Sequence, residues 1–168
     1  MKMILATFLS IGFISMLWGK EVLDMKNLQV NPANIAQYDP KYFSLKKSDY
    51  DFQTTLQRAK DLIKQQKIKL FVILDHSKAA SEFHKTLPPT SVIVFGNPSV
   101  GTGKMIAHPN IAIELPMKVL IYQRGKDVFV GYLRPDFYTK GLGLDSNDAF
   151  IKGTQEGYEK FTDYITKR

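Results

Sequence analysis

The 168-residue chain contains no cysteine and a single tryptophan. Without thiols it has neither a disulfide framework nor an N-terminal lipid attached through cysteine. It also lacks a zinc motif, a nucleophile elbow, an internal repeat and a low-complexity run. We therefore expect one domain that is stabilised by its hydrophobic core, and the chain is long enough to form such a core.

The first residues have the order of a secretory signal peptide. Lys2 precedes an uncharged, mostly apolar run from Met3 to Trp18, and Gly19 follows as a small residue at the cleavage point. The run is shorter than the roughly 20 apolar residues of a membrane-spanning helix. We expect residues 1–19 to be a signal peptide and the protein to be periplasmic or secreted. An uncleaved anchor that associates with a membrane stays open, because Leu17 stands where the cleavage motif requires a small residue.

The charge balance is basic, with 23 Lys and Arg against 16 Asp and Glu and a net charge of +7. Such a charge attracts anionic surfaces and acidic partners. The lysines are scattered along predicted helices and turns, as on an ordinary solvated surface. No basic cluster alternates with aromatic residues, so we expect no nucleic-acid partner.

Hydrophobic periodicity predicts the elements of the domain. Residues 20–40 have no clear period and are interpreted as an extended N-terminal segment, and residues 41–168 as a single domain. Strands are predicted near 42–45 and over 68–74, 91–95, 118–122 and 128–132, with a hairpin turn at 124–127. Helices are predicted from an N-cap signature at Ser48 to about 67, over 77–85, and from about 147 to 167.

Three of these elements carry more specific expectations. The strand over 68–74 reads as buried, because it is rich in β-branched and aromatic residues. Gly153 and Gly157 in the last helix are expected to allow another element to approach closely. The order of elements favours an α+β fold, a mainly antiparallel sheet with helices packed on one face.

Short motifs in the middle of the chain resemble a known family. They are Tyr42-Phe43-Ser44, Leu74-Asp75-His76, Leu87-Pro88-Pro89-Thr90, Phe95-Gly96-Asn97-Pro98, Gly101-Thr102 with Met105, Leu115-Pro116-Met117-Lys118-Val119-Leu120, and Tyr132 with Pro135. In this order they are similar to the bacterial domain of unknown function 302. The resemblance implies a TATA-binding-protein-like β-α-β-β-β-β-α arrangement, a homodimer and no assigned reaction. The chain departs from the family pattern at Gly103-Lys104 and at His108.

The glycine-rich loop in this region does not form a nucleotide-binding motif. A P-loop requires glycine five positions before Gly103 and a hydroxyl residue after Lys104. The chain has Pro98 and Met105 at those positions. The loop is better interpreted as a tight turn in which Gly96, Gly101 and Gly103 permit positive φ.

A second hypothesis for the loop is a small-molecule or metal-binding module. His76 ends a predicted strand, and Met105 and His108 share a face if the loop is helical. Imidazole and thioether are the ligand types that select copper or haem iron. The candidate metal ligands are therefore His76, Met105 and His108, and the candidate ligand-binding set adds Gly96, Asn97, Gly101 and Thr102. The alternative is that Met105 fills the core and that His76 only ends its strand.

Catalysis has less support in the sequence. Asp75 and His76 are an adjacent acid and base, but neighbouring residues on a strand point to opposite faces. No catalytic residue is assigned. A structural or protein-interaction module that acts as a homodimer is the alternative to ligand binding.

Overall fold

The computed structural model describes residues 39–139 and 141–168, except for the side chains of Phe137 and Tyr138. The expected signal peptide and almost all of the segment 20–40 lie outside the described residues. The described residues belong to one compact unit.

Within the described residues, five strands form one sheet in the order β1-β5-β4-β3-β2, and every neighbouring pair is antiparallel. The strands are β1 (Phe43–Lys47), β2 (Lys69–Asp75), β3 (Thr90–Gly96), β4 (Met117–Arg124) and β5 (Asp127–Leu133). The helices are α1 (Phe52–Gln65), α2 (His76–Glu82), α3 (Pro98–Ala107), α4 (Pro135–Thr139) and α5 (Ala149–Thr166), with a 3-10 helix at Pro109–Ile113. The predicted α+β architecture with a mainly antiparallel sheet is confirmed.

The main core lies between the sheet and the two long helices α1 and α5. Alternate residues of the three central strands are buried because successive side chains of a strand point to opposite faces. The strand residues are Ile93, Phe95, Val119, Ile121, Val128, Val130 and Tyr132, and they meet Ala59, Leu62, Ile63, Tyr158, Phe161 and Ile165 of the helices. Phe95 and Phe161 stack with their ring centroids 4.3 Å apart. A smaller cluster joins Ile111 of the 3-10 helix to Leu144 and Ile151, and Met105 of α3 packs against it.

The start of α1 differs from the sequence-based prediction. Asp51 is the N-cap, and its carboxylate accepts a hydrogen bond from the Thr54 N–H at 2.8 Å. That hydrogen bond and the one from the Thr54 hydroxyl hold the pKa of Asp51 below its ordinary value. Ser48 is buried instead, with its hydroxyl 2.8 Å from that of Thr55. The N-cap expected at Ser48 is therefore wrong by three residues.

The prediction that 68–74 is a buried strand is also wrong. β2 lies at one edge of the sheet and, among the described strands, pairs with β3 alone. Its apolar side chains Leu70, Phe71, Val72 and Leu74 are 39–46% exposed. An apolar run identifies a strand, but the position of that strand in the sheet depends on pairing between distant segments.

Candidate functional site

A cavity of about 670 Å³ opens at the end of the sheet between α3 and the first turns of α5. We call it the α3–α5 cavity. Four stretches of chain line it, within residues 68–71, 95–105, 115–117 and 149–154. Its walls are mostly apolar, which is typical of small-molecule sites.

One wall is α3, which begins directly after β3. Asn97 caps this helix, and its side-chain oxygen accepts hydrogen bonds from the Ser99 N–H at 3.1 Å and the Ser99 hydroxyl at 2.7 Å. Pro98 occupies the first helical turn, where its missing N–H costs nothing. The expected tight turn is therefore wrong, because an N-cap followed by proline begins a helix. The described glycines with positive φ are Gly125 and Gly143, and neither belongs to this segment.

Two glycines, Gly96 at the end of β3 and Gly101 in α3, pack closely against the segment that leads into β4. A Cβ on Gly96 would lie 3.4 Å from Pro116 Cβ, and a Cβ on Gly101 would lie 3.4 Å from Leu115 Cδ1. The peptide bond between Leu115 and Pro116 is cis. The motifs around Phe95-Gly96 and Leu115-Pro116 thus contact each other and form one end of the cavity.

The opposite wall is the start of α5, where Gly153 leaves a gap between the side chains of Phe150 and Thr154. Gly153 lines the cavity, and a Cβ at that position would have no atom within 4 Å. A Cβ on Gly157 would have one neighbour within that distance, Met117 Cε at 3.7 Å. The expectation that these glycines admit another element is wrong at Gly153, which borders open space instead.

A hydrogen-bonded ion pair connects the two walls. The Lys104 ammonium donates to Asp148 Oδ2, and Asp148 Oδ1 accepts from the Phe150 N–H at 2.8 Å as the N-cap of α5. The Lys104 side chain is only 12% exposed. The Lys104 ammonium, followed by the Phe150 N–H, lowers the pKa of Asp148 from its ordinary value of 3.8. Lys104, the lysine of the glycine-rich segment, therefore holds α3 against α5.

The structure brings together five of the seven residues that were predicted to bind a ligand. They all line the α3–α5 cavity and are Gly96, Asn97, Gly101, Thr102 and Met105. His108 lies outside the cavity lining as the C-cap of α3, and its N–H donates to the Lys104 carbonyl at 2.8 Å.

His76 lies at the other end of the β2–β3 pair. Lys69 pairs with Gly96 beside the cavity, whereas Asp75 pairs with Ser91 at the far end. Because a strand rises about 3.3 Å per residue, Lys69 and Asp75 lie more than roughly 15 Å apart along β2. The structure does not bring His76 together with Met105 and His108.

Asp75 has a structural role that explains its place before His76. It caps α2, and its Oδ1 accepts from the Lys78 N–H at 2.9 Å and the Ser77 hydroxyl at 2.7 Å. Both hydrogen bonds lower the pKa of this carboxyl. His76 is the first residue of the helix and is exposed.

The described residues contain no group of three or more His, Cys, Asp or Glu that could hold a metal ion. The haem or copper hypothesis is left with two thioethers that line the cavity, Met105 and Met117. Each of them packs against an apolar cluster, as a methionine that fills a core does.

Sequence reasoning missed the side of the cavity that β2 and α5 provide. Ile68, Lys69 and Phe71 line it from β2 and the residue before it. The β2–β3 register shifts between Leu70 and Val72, so Phe71 is the extra residue of a β-bulge. Bulges re-aim side chains, and this one accompanies a phenylalanine that faces the cavity. The sequence signal for the α5 side of the cavity was the spacing of Gly153 and Gly157, which was interpreted as close packing of another element.

The fold and the short motifs of the sequence analysis both indicate that this α+β domain belongs to a single known family. The family model of the domain of unknown function DUF302 matches residues 45–161, and the chain belongs to this family. The crystal structure of an uncharacterized conserved DUF302 protein from Bacillus stearothermophilus superposes with a TM-score of 0.59. That match covers 74% of this chain and 94% of the other at 16% identity, so it shows a shared fold.

Curated relatives occur in Brucella. The fluoride-specific ion channel FluC 1 of Brucella suis biovar 1 (strain 1330) is 32% identical over 120 residues, which cover 70% of this chain and 47% of that protein. The FluC 1 protein of Brucella abortus biovar 1 (strain 9-941) matches at the same identity over 44% of its length. The chain thus spans about half the length of the curated relatives it matches. Within residues 39–139 and 141–168, no helix is both long and apolar enough to cross a bilayer.

Proposed function

We propose that this domain is a small-molecule binding module whose ligand is a mostly apolar compound held in the α3–α5 cavity. The observation that carries the proposal is the cavity itself, about 670 Å³ with largely apolar walls. Sites for small organic ligands have this size and lining, with a few polar groups that orient the ligand. Here the uncharged polar residues of the walls are Asn97 at the start of α3, Thr102 on α3 and Thr154 on α5, and Lys69 adds one charged group.

The name of the Brucella relatives does not change the ligand class. Fluoride is a small, strongly hydrated anion, and moving it into apolar surroundings without hydrogen-bond donors is costly. The α3–α5 cavity has the opposite character. The match covers less than half of each of those relatives, so their channel function is not part of this proposal.

The test is calorimetric binding of a neutral apolar probe, 1-dodecanol, to the full chain. Gly153→Trp places an indole in the open space beside α5 and should weaken binding at least about tenfold, since it displaces the probe. The matched control is Gly141→Trp, because a Cβ on Gly141 also has no atom within 4 Å and Gly141 lies outside the cavity lining. Undiminished binding to a folded Gly153→Trp variant would refute the proposal. Val100→Trp is a second test on the opposite, α3 wall of the cavity, and it should also weaken binding of the probe.

The sheet edge supports a second candidate function, self-association as a homodimer. Among the described strands β2 has a partner on one side only, and Leu70, Val72 and Leu74 are exposed on it. An exposed apolar edge strand is a template for pairing with another chain. In this arrangement β2 of one copy pairs with β2 of a second copy.

Sedimentation at several protein concentrations tests this pairing. Val72→Lys should shift the chain toward the monomer, because lysine on an edge strand opposes edge-to-edge association. Phe83→Lys is the matched control, since Phe83 is 76% exposed and lies outside β2. A wild-type chain that is monomeric at all concentrations would reject the homodimer and leave the ligand proposal untouched. Export from the cytoplasm stays a separate prediction that rests on residues 1–19.

A further inference from the structure

We infer that the ligand is a single-chain anionic amphiphile of the fatty-acid type, with its carboxylate at Lys69 and its chain in the α3–α5 cavity. This inference rests on the proposed function and adds the chemical class of the ligand. It is argued from the charges that line the cavity, from a second cavity beside it and from the position of Lys69.

The charge of the lining has one sign. Among the described residues that line the α3–α5 cavity, Lys69 is the only charged one. A second cavity of about 340 Å³ lies beside the first and is lined by Lys160 as its only charged residue within the described part of the chain. A ligand with one negative group therefore meets cations at these walls and no carboxylate.

The two cavities share a wall, which gives the ligand its elongated shape. Ile68, Phe95 and Met117 line both of them. The same side of α5 borders both cavities, with Gly153 in the first and Gly157 in the second. An apolar chain that fills the first cavity can continue past Met117 into the second.

Lys69 is the better placed of the two cations for the carboxylate. Its ammonium lies 4.8 Å from the centroid of the Phe71 ring, which belongs to the cavity wall, and Lys69 is exposed to solvent, so the cation lies at the rim. Lys69 takes part in none of the ion pairs found among the described residues, whereas Lys160 pairs with Glu156 and is 80% exposed. An ammonium at the rim can bind a carboxylate while the attached chain stays in apolar surroundings.

The experiment compares ligands that differ only in the head group. Calorimetry on the full chain at neutral pH measures dodecanoate, 1-dodecanol and acetate. We expect dodecanoate to bind about tenfold more tightly than dodecanol, as a charge-assisted hydrogen bond provides, and acetate not to bind measurably. Raising the salt concentration should reduce this preference, because Lys69 is exposed to solvent.

Substitutions then assign the head group. Lys69→Gln should reduce the preference for dodecanoate over 1-dodecanol to less than about twofold. The matched control is Lys126→Gln in the β4–β5 turn, which should keep the full preference. An undiminished preference in Lys69→Gln would overturn the placement of the carboxylate.

The outcomes separate this inference from the proposed function. If dodecanol and dodecanoate bind equally and Gly153→Trp weakens both, the cavity binds apolar ligands and the anionic class is wrong. If neither compound binds, the proposed function fails and this inference fails with it. If dodecanoate binds with its preference intact in Gly153→Trp, the chain does not lie in the cavity and the inference is rejected.

Chain length gives an independent readout. Each buried methylene contributes about 0.8 kcal/mol, close to fourfold in affinity. Affinity should therefore rise from octanoate to dodecanoate and continue to rise for longer chains that reach the second cavity. Met117→Phe at the shared wall should end this rise at a shorter chain. A rise that is the same in Met117→Phe would contradict passage into the second cavity.

Discussion

Lys104 on α3 donates a hydrogen bond to the carboxylate of Asp148, the residue that caps α5. The two residues are 44 positions apart in the sequence, and their contact joins α3 to the start of α5. α3 has no buried residue of its own. We therefore expect this pair, together with Met105, to hold the helix in place.

The first prediction concerns the pH dependence of that pair. The pKa of Asp148 is lowered by folding, so the ionised carboxylate stabilises the protein above its ordinary pKa of 3.8. This contribution is lost as the pH falls through the lowered value. Asp148→Asn should have a lower thermal midpoint than wild type at neutral pH, and the difference should shrink in acid below about pH 4. The measurement is thermal unfolding of both proteins over a pH series.

The control for this prediction is the exposed pair of Lys160 and Glu156. Its side chains are 80% and 64% exposed, so Glu156→Gln should change the midpoint little at any pH. A difference between wild type and Asp148→Asn that does not depend on pH would show that the charge of Asp148 contributes nothing.

A second prediction concerns the N-cap of α3. Asn97→Ala removes the acceptor for the Ser99 N–H and hydroxyl and should cost about 1 kcal/mol of unfolding free energy. Asn97→Asp retains an acceptor and should cost less. Urea unfolding measures both values, and amide exchange should show the loss of protection within residues 98–107. Equal stability of Asn97→Ala and wild type would contradict this role of the cap.

A third prediction contrasts two glycines. Gly153→Ala should stabilise the protein by about 0.5–1 kcal/mol, because alanine favours a helix interior and the new methyl group has no atom within 4 Å. Gly131→Ala should destabilise it by about 1–3 kcal/mol, because the new Cβ would overlap the Phe43 ring and lie 3.0 Å from the Ser44 carbonyl oxygen. Urea unfolding distinguishes the two. If both changes had the same sign, the contrast between open space and close packing would be refuted.

A fourth prediction concerns Tyr158 at alkaline pH. Burial raises the pKa of this phenol from 10.0 to about 12. The neutral phenol therefore stabilises the folded protein fully below pH 10, and this contribution is lost as the pH rises toward 12. Unfolding free energy should fall over this interval in wild type and fall less in Tyr158→Phe.

The same substitution has a cost at neutral pH. The Tyr158 hydroxyl accepts a hydrogen bond from the Lys118 N–H at 3.0 Å. Losing this hydrogen bond should lower the unfolding free energy by about 1 kcal/mol. Tyr132→Phe is a comparison variant, because the Tyr132 ring stacks on Tyr158 with the centroids 4.4 Å apart. A Tyr158→Phe protein with the same alkaline slope as wild type would contradict the predicted titration.

Local sequence was sufficient for most elements and insufficient for some of their ends. The apolar alternation around Ile93, Val119 and Val130 predicted three strands, since period-two burial is a property of a single segment. The helix start at Ser48 was misplaced, because Ser48 and Asp51 both resemble an N-cap and only the folded backbone selects between them. The helix over 98–107 was read as a turn because its two glycines outweighed the cap that Asn97 and Pro98 provide.

The candidate site was predicted in part. Five residues of the family motifs do line one cavity, namely Gly96, Asn97, Gly101, Thr102 and Met105. His76 does not join them, because the antiparallel register carries it to the other end of β2. Spacing along the chain gives no information about register between strands, so the proposed grouping of His76 with Met105 needed the structure to be tested.

The sequence by itself determined the family, the antiparallel α+β architecture and the expectation of export, because periodicity, short motifs and an N-terminal apolar run are local features. The tertiary structure alone decided that β2 is an edge strand among the described strands, that Lys104 meets Asp148, and that Gly153 borders a cavity. Each of these depends on contacts between segments that are far apart in the chain. The absence of cysteine left such contacts to packing, hydrogen bonds and ion pairs, whose partners the amino-acid order does not specify.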